Sequence, residues 1–189
     1  MGYFRRVTMR LPPGIKNTQP DAQNAVIMGR KTWDSIPPKF RPLKDRINVV
    51  VTRSGGVEGL EEAQTKGQVV IAGSLEEGLK RLEKEERLGE SFVIGGGTLY
   101  KTALELPQTK RVLLTKIYKE YECDTFLSLN FEGEQGIESG WRRKSWEELE
   151  QYVGADVFKG IEQLKSTYYG EGRVKEGDVE FEFCLFERD

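Results

Sequence analysis

The stretch that decides the fold is residues 25–53, which read AVIMGRKTWDSIPPKFRPLKDRINVVVTR. Two apolar runs, Ala25–Met28 and Ile47–Val51, flank a segment rich in proline and charged residues. Both runs are nearly continuous rather than alternating, and most of their residues are β-branched. This pattern is typical of strands covered on both faces, as in a parallel sheet with helices on each side. The stretch therefore predicts an α/β domain.

Further along the chain, three more runs have the same character: Val69–Ala72, Phe92–Ile94 and Val112–Leu114. The final run, Val179–Leu185, instead begins as an alternation of apolar and charged residues, which predicts an antiparallel strand with one wet face. We therefore expect one mixed, mostly parallel sheet.

Helical patterns lie between the predicted strands. Ser74 is placed as an N-cap, with Glu77 three residues later completing a capping box. Residues 98–106 form a second helix that ends before Pro107. A short helix follows the first strand and stops at Pro37. Two segments, 12–24 and 146–178, are rich in polar residues, charges or glycine and are predicted to be surface insertions.

Composition excludes several classes of function. The chain has 189 residues and no histidine, so catalytic triads and zinc sites that use imidazole are excluded. The formal net charge of −2 argues against binding to nucleic acid or an anionic membrane. The two cysteines are far apart, which favours a reducing cytoplasm over a disulfide scaffold. No apolar run approaches the roughly 18 residues of a membrane span.

Polar and glycine residues follow three of the predicted strands, where ligands of open α/β sheets bind. Each group alone has an ordinary alternative: a basic turn, a polar turn or a tight glycine turn. Together they favour a phosphorylated dinucleotide, with NADPH as the first choice. The three groups are Gly29, Arg30, Lys31 and Thr32; Thr52, Arg53 and Ser54; and Gly95, Gly96, Gly97, Thr98 and Leu99.

Residues 33–46 interleave prolines, apolar side chains and arginines. A rigid apolar wall with a guanidinium at its rim suits an aromatic ligand that carries a carboxylate. The alternative is a loop braced by proline, with Arg46 as a surface charge.

Three stretches resemble dihydrofolate reductase, especially the fungal enzymes: residues 25–53, FVIGGGTLYKTAL at 92–104 and LLTKIYKEYECDTFL at 113–127. The resemblance implies a three-layer α/β sandwich and one domain over residues 1–189 with the two surface insertions. It also implies reduction of 7,8-dihydrofolate to tetrahydrofolate with hydride from NADPH, in a cytoplasmic monomer.

The resemblance assigns roles to residues as well. Arg46 is expected to bind the α-carboxylate of the folate glutamate, and Thr115 to hydrogen-bond toward the pterin. Gly73 stands where the family usually has a basic residue in the adenine pocket, which puts that contact in doubt. The three groups after the strands are expected to hold the cofactor's phosphates and adenosine. Residues expected to contact the pterin, aminobenzoyl or nicotinamide groups are Phe4, Ile36, Pro37, Leu43, Ile94 and Tyr100.

One part of the family pattern is not found. The catalytic carboxylate would immediately precede Met1, and the family's first strand and active-site loop come before it. We therefore expect the chain as given to lack all three and to show little or no dihydrofolate-dependent oxidation of NADPH. Asp34 is the nearest acid in a ligand-lining segment, but nothing in the sequence makes it a substitute.

Three hypotheses follow from these observations. The sequence as given starts too late and the protein is a fungal-type dihydrofolate reductase. Alternatively, it is a non-catalytic, NADPH-binding truncated paralogue. A third candidate is another reductase of the same fold, such as one from riboflavin synthesis, against which residues 33–46 argue.

Overall fold

The computed structural model describes residues 2–53, 60–65, 69–127, 129–161 and 173–189. The chain divides into two compact units, Met1–Glu105 and Leu106–Asp189. The single domain expected over the whole chain stays a prediction.

A parallel sheet forms the centre of the first unit. Its strands are β1 (Gln23–Gly29), β2 (Ile47–Val51), β3 (Val69–Ala72) and β4 (Leu88–Val93), in the order β3-β2-β1-β4. All three neighbouring pairs are parallel, and β1 is central. Residues 25–28 of β1 are completely buried, as the continuous apolar run predicts.

Helices connect and cover these strands. They are α1 (Gly2–Met9), α2 (Ile15–Thr18), α3 (Arg30–Ser35), α4 (Leu60–Thr65), α5 (Leu75–Leu82) and α6 (Gly97–Glu105), with a 3₁₀ turn at Pro38–Phe40. Helix α5 begins where the sequence predicts, because the Ser74 hydroxyl accepts from the Glu77 N–H at 3.1 Å. The Glu77 carboxylate accepts from the Gly73 N–H at 2.7 Å, so the predicted capping box is only half formed.

The second unit is built on an antiparallel sheet. It contains β5 (Arg111–Ile117), α7 (Glu134–Glu138), β6 (Arg142–Arg143), α8 (Trp146–Val153), a 3₁₀ turn at Ala155–Phe158, β7 (Arg173–Glu176) and β8 (Val179–Glu187). Strand β8 pairs with β5 along its length, and β6 and β7 also pair with β8. The α/β fold class is confirmed, but its parallel and antiparallel strands belong to two sheets among the described residues rather than to one mixed sheet.

Strand β8 does not have the wet face that its alternation predicts. Residues 182–186 are all buried, including the charged Glu182. The Glu182 carboxylate accepts from the Tyr118 hydroxyl at 2.6 Å and also from the Arg143 guanidinium. A buried carboxylate is tolerated where charged and hydroxyl donors surround it, and sequence alternation alone cannot show such donors.

The predicted surface insertion at 146–178 is wrong over its first part. Helix α8 starts with a capping box between Ser145 and Glu148. Leu149, Val153 and Val157 are all at least 97% buried. These apolar residues recur at a helical spacing that the surrounding charges conceal. Residues 162–172 lie outside the described part of the chain.

The insertion expected at 12–24 is exposed at residues 13–14 and 18–21, but not at its end. Residues 18–21 are exposed, whereas Ala22 and Asn24 are buried at the entry to β1. The Asn24 amide donates to the Arg10 carbonyl at 2.7 Å, and its oxygen accepts from the Glu90 N–H at 2.9 Å. This asparagine therefore anchors the end of α1 to the parallel sheet.

Candidate functional site

Two turns that the sequence predicts separately meet at the carboxyl ends of β1 and β4. The Gly29 N–H donates to the Gly95 carbonyl at 2.8 Å, and the Ile94 N–H donates to the Ile27 carbonyl at 2.8 Å. A Cβ built at Gly29 would lie 3.8 Å from Gly95 O and Gly96 N. The first and third groups of residues predicted to bind phosphate thus form one continuous backbone surface.

The glycine turn has a backbone form that suits glycine. Gly95 has φ of 108°, and the Gly95–Gly96 peptide is cis. A Cβ at Gly95 would meet the Tyr100 ring at 3.3 Å, whereas one at Gly96 would lie 3.7 Å from the Thr32 hydroxyl. Gly95 is therefore required twice, by its left-handed backbone and by the ring beside it. Thr32 lies beside the turn, as the predicted site requires.

Tyr100, on α6, packs against this turn. The residue is 37% exposed, and its ring lies against Gly95. Burial raises the pKa of the Tyr100 hydroxyl above its ordinary value. The phenol therefore stays protonated near neutral pH and can donate a hydrogen bond at the edge of the site.

Cations and one acid surround the start of α3. Arg30 and Lys31 are exposed. Asp34 lies 3.8 Å from Arg30 and 3.8 Å from Arg41, with 46% of its side chain exposed. The arrangement is a surface cluster in which two guanidiniums neutralise one carboxylate. It provides no support for Asp34 as a substitute acid.

The second group of residues predicted to bind phosphate follows β2. The Thr52 N–H donates to the Ala72 carbonyl at 2.9 Å, which places Thr52 beside the end of β3, and Arg53 is exposed. Ser54 lies outside the described residues. At the end of β3, Gly73 is followed by α5, and hydrogen bonds from the Gly73 N–H and the Arg81 side chain lower the pKa of Glu77. The position that is basic in the family pattern thus has a carboxylate beside it.

The apolar wall is only partly assembled as predicted. Ile36, Leu43 and Ile94 all pack against the core cluster that contains Trp33 and Met28. Pro37 is exposed. Phe4 lies on α1 with 43% of its surface exposed. Three of the expected wall residues therefore share one apolar cluster, and the other two present apolar surface to solvent.

Arg46 is not the surface charge of the alternative interpretation, because it is 92% buried. Its Nε donates to the Lys44 carbonyl at 3.1 Å, and its Nη1 donates to the Thr8 hydroxyl at 2.8 Å. Burial is the main cause that lowers the pKa of Arg46, and nearby Arg5 adds to it, whereas Asp45 opposes both. Over the described ranges, no carboxylate lies within 4.0 Å of this guanidinium.

Asn48 holds the loop that presents Arg46. Its amide donates to the carbonyls of Leu43 and Arg46, both at 2.9 Å, and its oxygen accepts from the Leu43 N–H at 2.9 Å. Sequence reasoning missed Asn48 and Thr8. Only the polar Asn48 inside the apolar run 47–51 offered a signal.

Thr115 lies in the second unit on β5, opposite Phe183, and is exposed. Its expected hydrogen bond toward the pterin stays a prediction.

Leu99 is buried and Thr98 is exposed at the start of α6.

Comparison with known proteins agrees with this geometry. The family profile described as dihydrofolate reductase matches residues 1–152. The chain belongs to the dihydrofolate reductase family. The fungal resemblance that the sequence predicts is confirmed, since the chain is 35% identical over 195 residues to dihydrofolate reductase of Pneumocystis carinii, covering 100% of this chain and 84% of that protein.

Other relatives extend the comparison. The dihydrofolate reductase of Schizosaccharomyces pombe is 37% identical over 192 residues, which cover 96% of this chain and 40% of that protein. Among solved structures, Schistosoma mansoni dihydrofolate reductase matches with a TM-score of 0.63 at 27% identity, covering 100% of this chain and 84% of that chain. The chain is thus a member of the family that is shorter than these relatives.

Within the described ranges, no group of three or more cysteine, aspartate or glutamate side chains could hold a metal ion. A search of the same residues for a helix long and apolar enough to cross a membrane found none.

Proposed function

We propose that this member of the dihydrofolate reductase family binds dihydrofolate and NADPH and reduces 7,8-dihydrofolate to 5,6,7,8-tetrahydrofolate. The observation that carries the proposal is the buried Arg46, which has only neutral hydrogen-bond partners near an apolar wall. A buried cation without an acid partner is costly unless a ligand supplies the anion. The family's substrate has an aromatic body and a glutamate tail, which fit the wall and the guanidinium respectively.

The glycine turn supports the cofactor part of the proposal. At Gly29 and Gly96 a Cβ would meet other atoms only at 3.7–3.8 Å, and the Thr32 hydroxyl lies beside Gly96. Such a surface lets phosphate oxygens approach backbone N–H groups closely. Arg30 and Lys31 provide positive charge at the same strand end, and Arg53 would face the 2′-phosphate. These residues fit NADPH, which supplies a hydride when bound.

One detail weakens the adenosine end. Glu77 places a carboxylate at Gly73, which opposes the negative charge of the cofactor. In compensation, Arg81 donates to Glu77 at 2.7 Å and neutralises part of that charge. We propose that cofactor affinity rests mainly on the turn of β1 and β4 rather than on this end.

The reaction consumes one proton as well as one hydride. Tyr100 can donate a hydrogen bond at the rim, but its raised pKa makes it a poor proton donor to the substrate. Asp34 is engaged by two guanidiniums. The acid expected from the sequence would precede Met1, and that expectation stays a prediction. The proposed cytoplasmic location and monomeric state also stay predictions.

Thermal-shift and turnover measurements together test the proposal. Purified protein is heated with NADPH, with a diaminopyrimidine antifolate that has no carboxylate, and with both. Both ligands should raise Tm, and an assay at 340 nm then reports dihydrofolate-dependent oxidation of NADPH. Binding with turnover supports the whole proposal. Binding of both ligands without turnover would retain the binding site, overturn the reductase activity and agree with the low activity that the sequence predicts for the chain as given. The absence of any shift would overturn the proposal.

A non-catalytic NADPH-binding protein is the second candidate function. The observations that favour it are that the cofactor turn of Gly29 and Gly95 is formed, whereas Asp34, the acid in the segment 33–46, is already paired with Arg30 and Arg41. NADPH binding without antifolate binding would favour this candidate over the first.

A further inference from the structure

The ends of β2 and β3 lie side by side at one edge of the parallel sheet. Val51 is opposite Ala72 in the register of the two strands, and the Thr52 N–H donates to the Ala72 carbonyl at 2.9 Å. The residues that follow the two strands, Thr52 and Gly73, are therefore neighbours about 5 Å apart. Arg53 comes next after Thr52 and is exposed, so a cation lies at this edge.

A carboxylate lies at the same edge. Glu77 belongs to the first turn of α5, but its Oε2 accepts from the Gly73 N–H at 2.7 Å, so the carboxylate reaches back to the end of β3. A Cβ built at Gly73 would lie 3.1 Å from this oxygen. The other oxygen accepts from Arg81 Nη2 at 2.7 Å and from its Nε at 3.1 Å. Because 44% of the Glu77 side chain is exposed, its charge can act on a ligand at this edge.

A cation and a carboxylate at one strand end have opposite effects on the two nicotinamide cofactors. In nucleotide-binding α/β folds, an arginine accommodates the 2′-phosphate of NADPH, whereas an acidic residue accepts a hydrogen bond from the 2′-hydroxyl of NADH. A phosphate monoester has close to two negative charges, so a nearby carboxylate repels it, while the neutral hydroxyl is not repelled. The Glu77 carboxylate therefore opposes the preference for NADPH that Arg53 provides.

We infer that this chain binds NADH as well as NADPH, and that Glu77 sets its preference between the two. Under the proposed function, the adenosine end of the cofactor lies at this edge, so the inference rests on that proposal. Arg81 neutralises part of the Glu77 charge from one helical turn further along α5. The carboxylate contacts the strand end directly and the guanidinium only through it, so the negative charge is the nearer one.

Glu83 provides a matched control at the opposite end of the same helix. It is exposed at the C-cap of α5, about 9 Å along the helix axis from Glu77. Glu77→Gln and Glu83→Gln each remove one negative charge, and the new amide oxygen at position 77 can still accept from the Gly73 N–H. Comparison of the two variants therefore separates the charge at the strand end from the net charge of the helix.

Adenosine fragments separate this end of the cofactor from the glycine turn. Calorimetry on the full chain measures the affinities for 2′,5′-ADP and 5′-AMP, which differ only in the 2′-phosphate, and quenching of tryptophan fluorescence measures those for NADPH and NADH. In both pairs, Glu77→Gln should raise the ratio of phosphorylated to unphosphorylated ligand affinity about three- to tenfold. Arg81→Gln exposes the carboxylate and should lower the ratio about two- to threefold. Glu83→Gln should keep the wild-type ratio, and high salt should reduce both changes.

Failure of the inference can be distinguished from failure of the proposed function. If NADPH and 2′,5′-ADP both fail to bind, the cofactor part of the proposed function is overturned, and the role of Glu77 with it. If NADPH binds but NADH competes with it at no concentration, or if Glu77→Gln leaves the ratio unchanged, only the inference is overturned. An equal rise of the ratio in Glu83→Gln would also overturn it, because the net charge of the helix would then explain the effect.

Discussion

Arg46 in the first unit and Glu182 in the second are both charged, and both are more than 90% buried. Glu182 is satisfied by Arg143 and Tyr118 from its own unit. Arg46 contacts a hydroxyl and a carbonyl but no carboxylate over the described ranges. A buried charge with an internal partner supports the fold, whereas one without a partner is available to a ligand. The contrast therefore gives Glu182 a structural role and agrees with the substrate-binding role proposed for Arg46.

The largest expected effect separates binding from stability at Arg46. Arg46→Met should weaken dihydrofolate binding by about 2–4 kcal/mol, because the ligand carboxylate loses its charged partner. The free energy of unfolding should stay equal or rise by about 1 kcal/mol, since an unpaired buried charge is replaced by an apolar group. Ligand titration and urea denaturation measure the two quantities. Arg46→Lys keeps the charge but loses the paired N–H donors of the guanidinium, so its affinity for dihydrofolate should lie between those of the wild type and Arg46→Met. Loss of stability without loss of affinity would break the contrast.

Glu182→Gln should show the opposite pattern. Removing the charge leaves Arg143 without its buried partner, and the free energy of unfolding should fall by about 2–3 kcal/mol, less than for a fully buried pair because Arg143 is 40% exposed. Affinity for NADPH and dihydrofolate should not change. Glu176→Gln on the exposed face of β7 is the control and should shift stability by less than about 0.5 kcal/mol. If both variants change the free energy of unfolding by the same amount, the structural role of Glu182 is contradicted.

Gly95→Ala tests whether the turn of the first unit depends on its backbone. The positive φ of 108° and the Tyr100 ring 3.3 Å from the new Cβ should together cost about 2 kcal/mol of stability and weaken NADPH binding. Gly29→Ala is the matched comparison for stability, because φ is −74° and the nearest heavy atom is 3.8 Å away. Thermal denaturation with and without NADPH reports both effects. Similar melting temperatures for the two variants would show that neither the backbone nor the ring restricts Gly95.

A smaller effect concerns pH in the second unit. Burial raises the pKa of the Cys184 thiol from 9.0 to about 11, with Arg143 opposing and Glu182 assisting. The folded state therefore binds the thiol proton more tightly than the unfolded state, so this stabilisation is complete below pH 9 and is lost as pH rises toward 11. By pH 10 the loss should be about 1 kcal/mol.

The measurement compares urea denaturation of the wild type and Cys184→Ala between pH 8 and pH 10, because other groups titrate equally in both proteins. The wild type should lose more stability than the variant over this interval. Parallel pH dependence would show that Cys184 is not held in its neutral form.

Much of the parallel unit could be predicted from sequence. Continuous apolar runs indicated β1, β2 and β3, and glycine-containing turns after strands indicated where a cofactor would bind, because these signals are local. The buried ends of α8 and β8 could not be predicted in the same way. Their charged residues suggested exposure, whereas Leu149 packs into the core and Glu182 finds donors from other strands.

The sequence by itself determined the α/β class and the family, and it predicted which residue types would contact a phosphate and a carboxylate, because these follow from local spacing and chemical character. Only the tertiary structure decided that Gly29 and Gly95 share one surface and that Arg46 is buried and donates to the Thr8 hydroxyl. These contacts join residues far apart in the chain. Whether a charge is matched or left for a ligand depends on what packing brings to it, and no spacing rule contains that information.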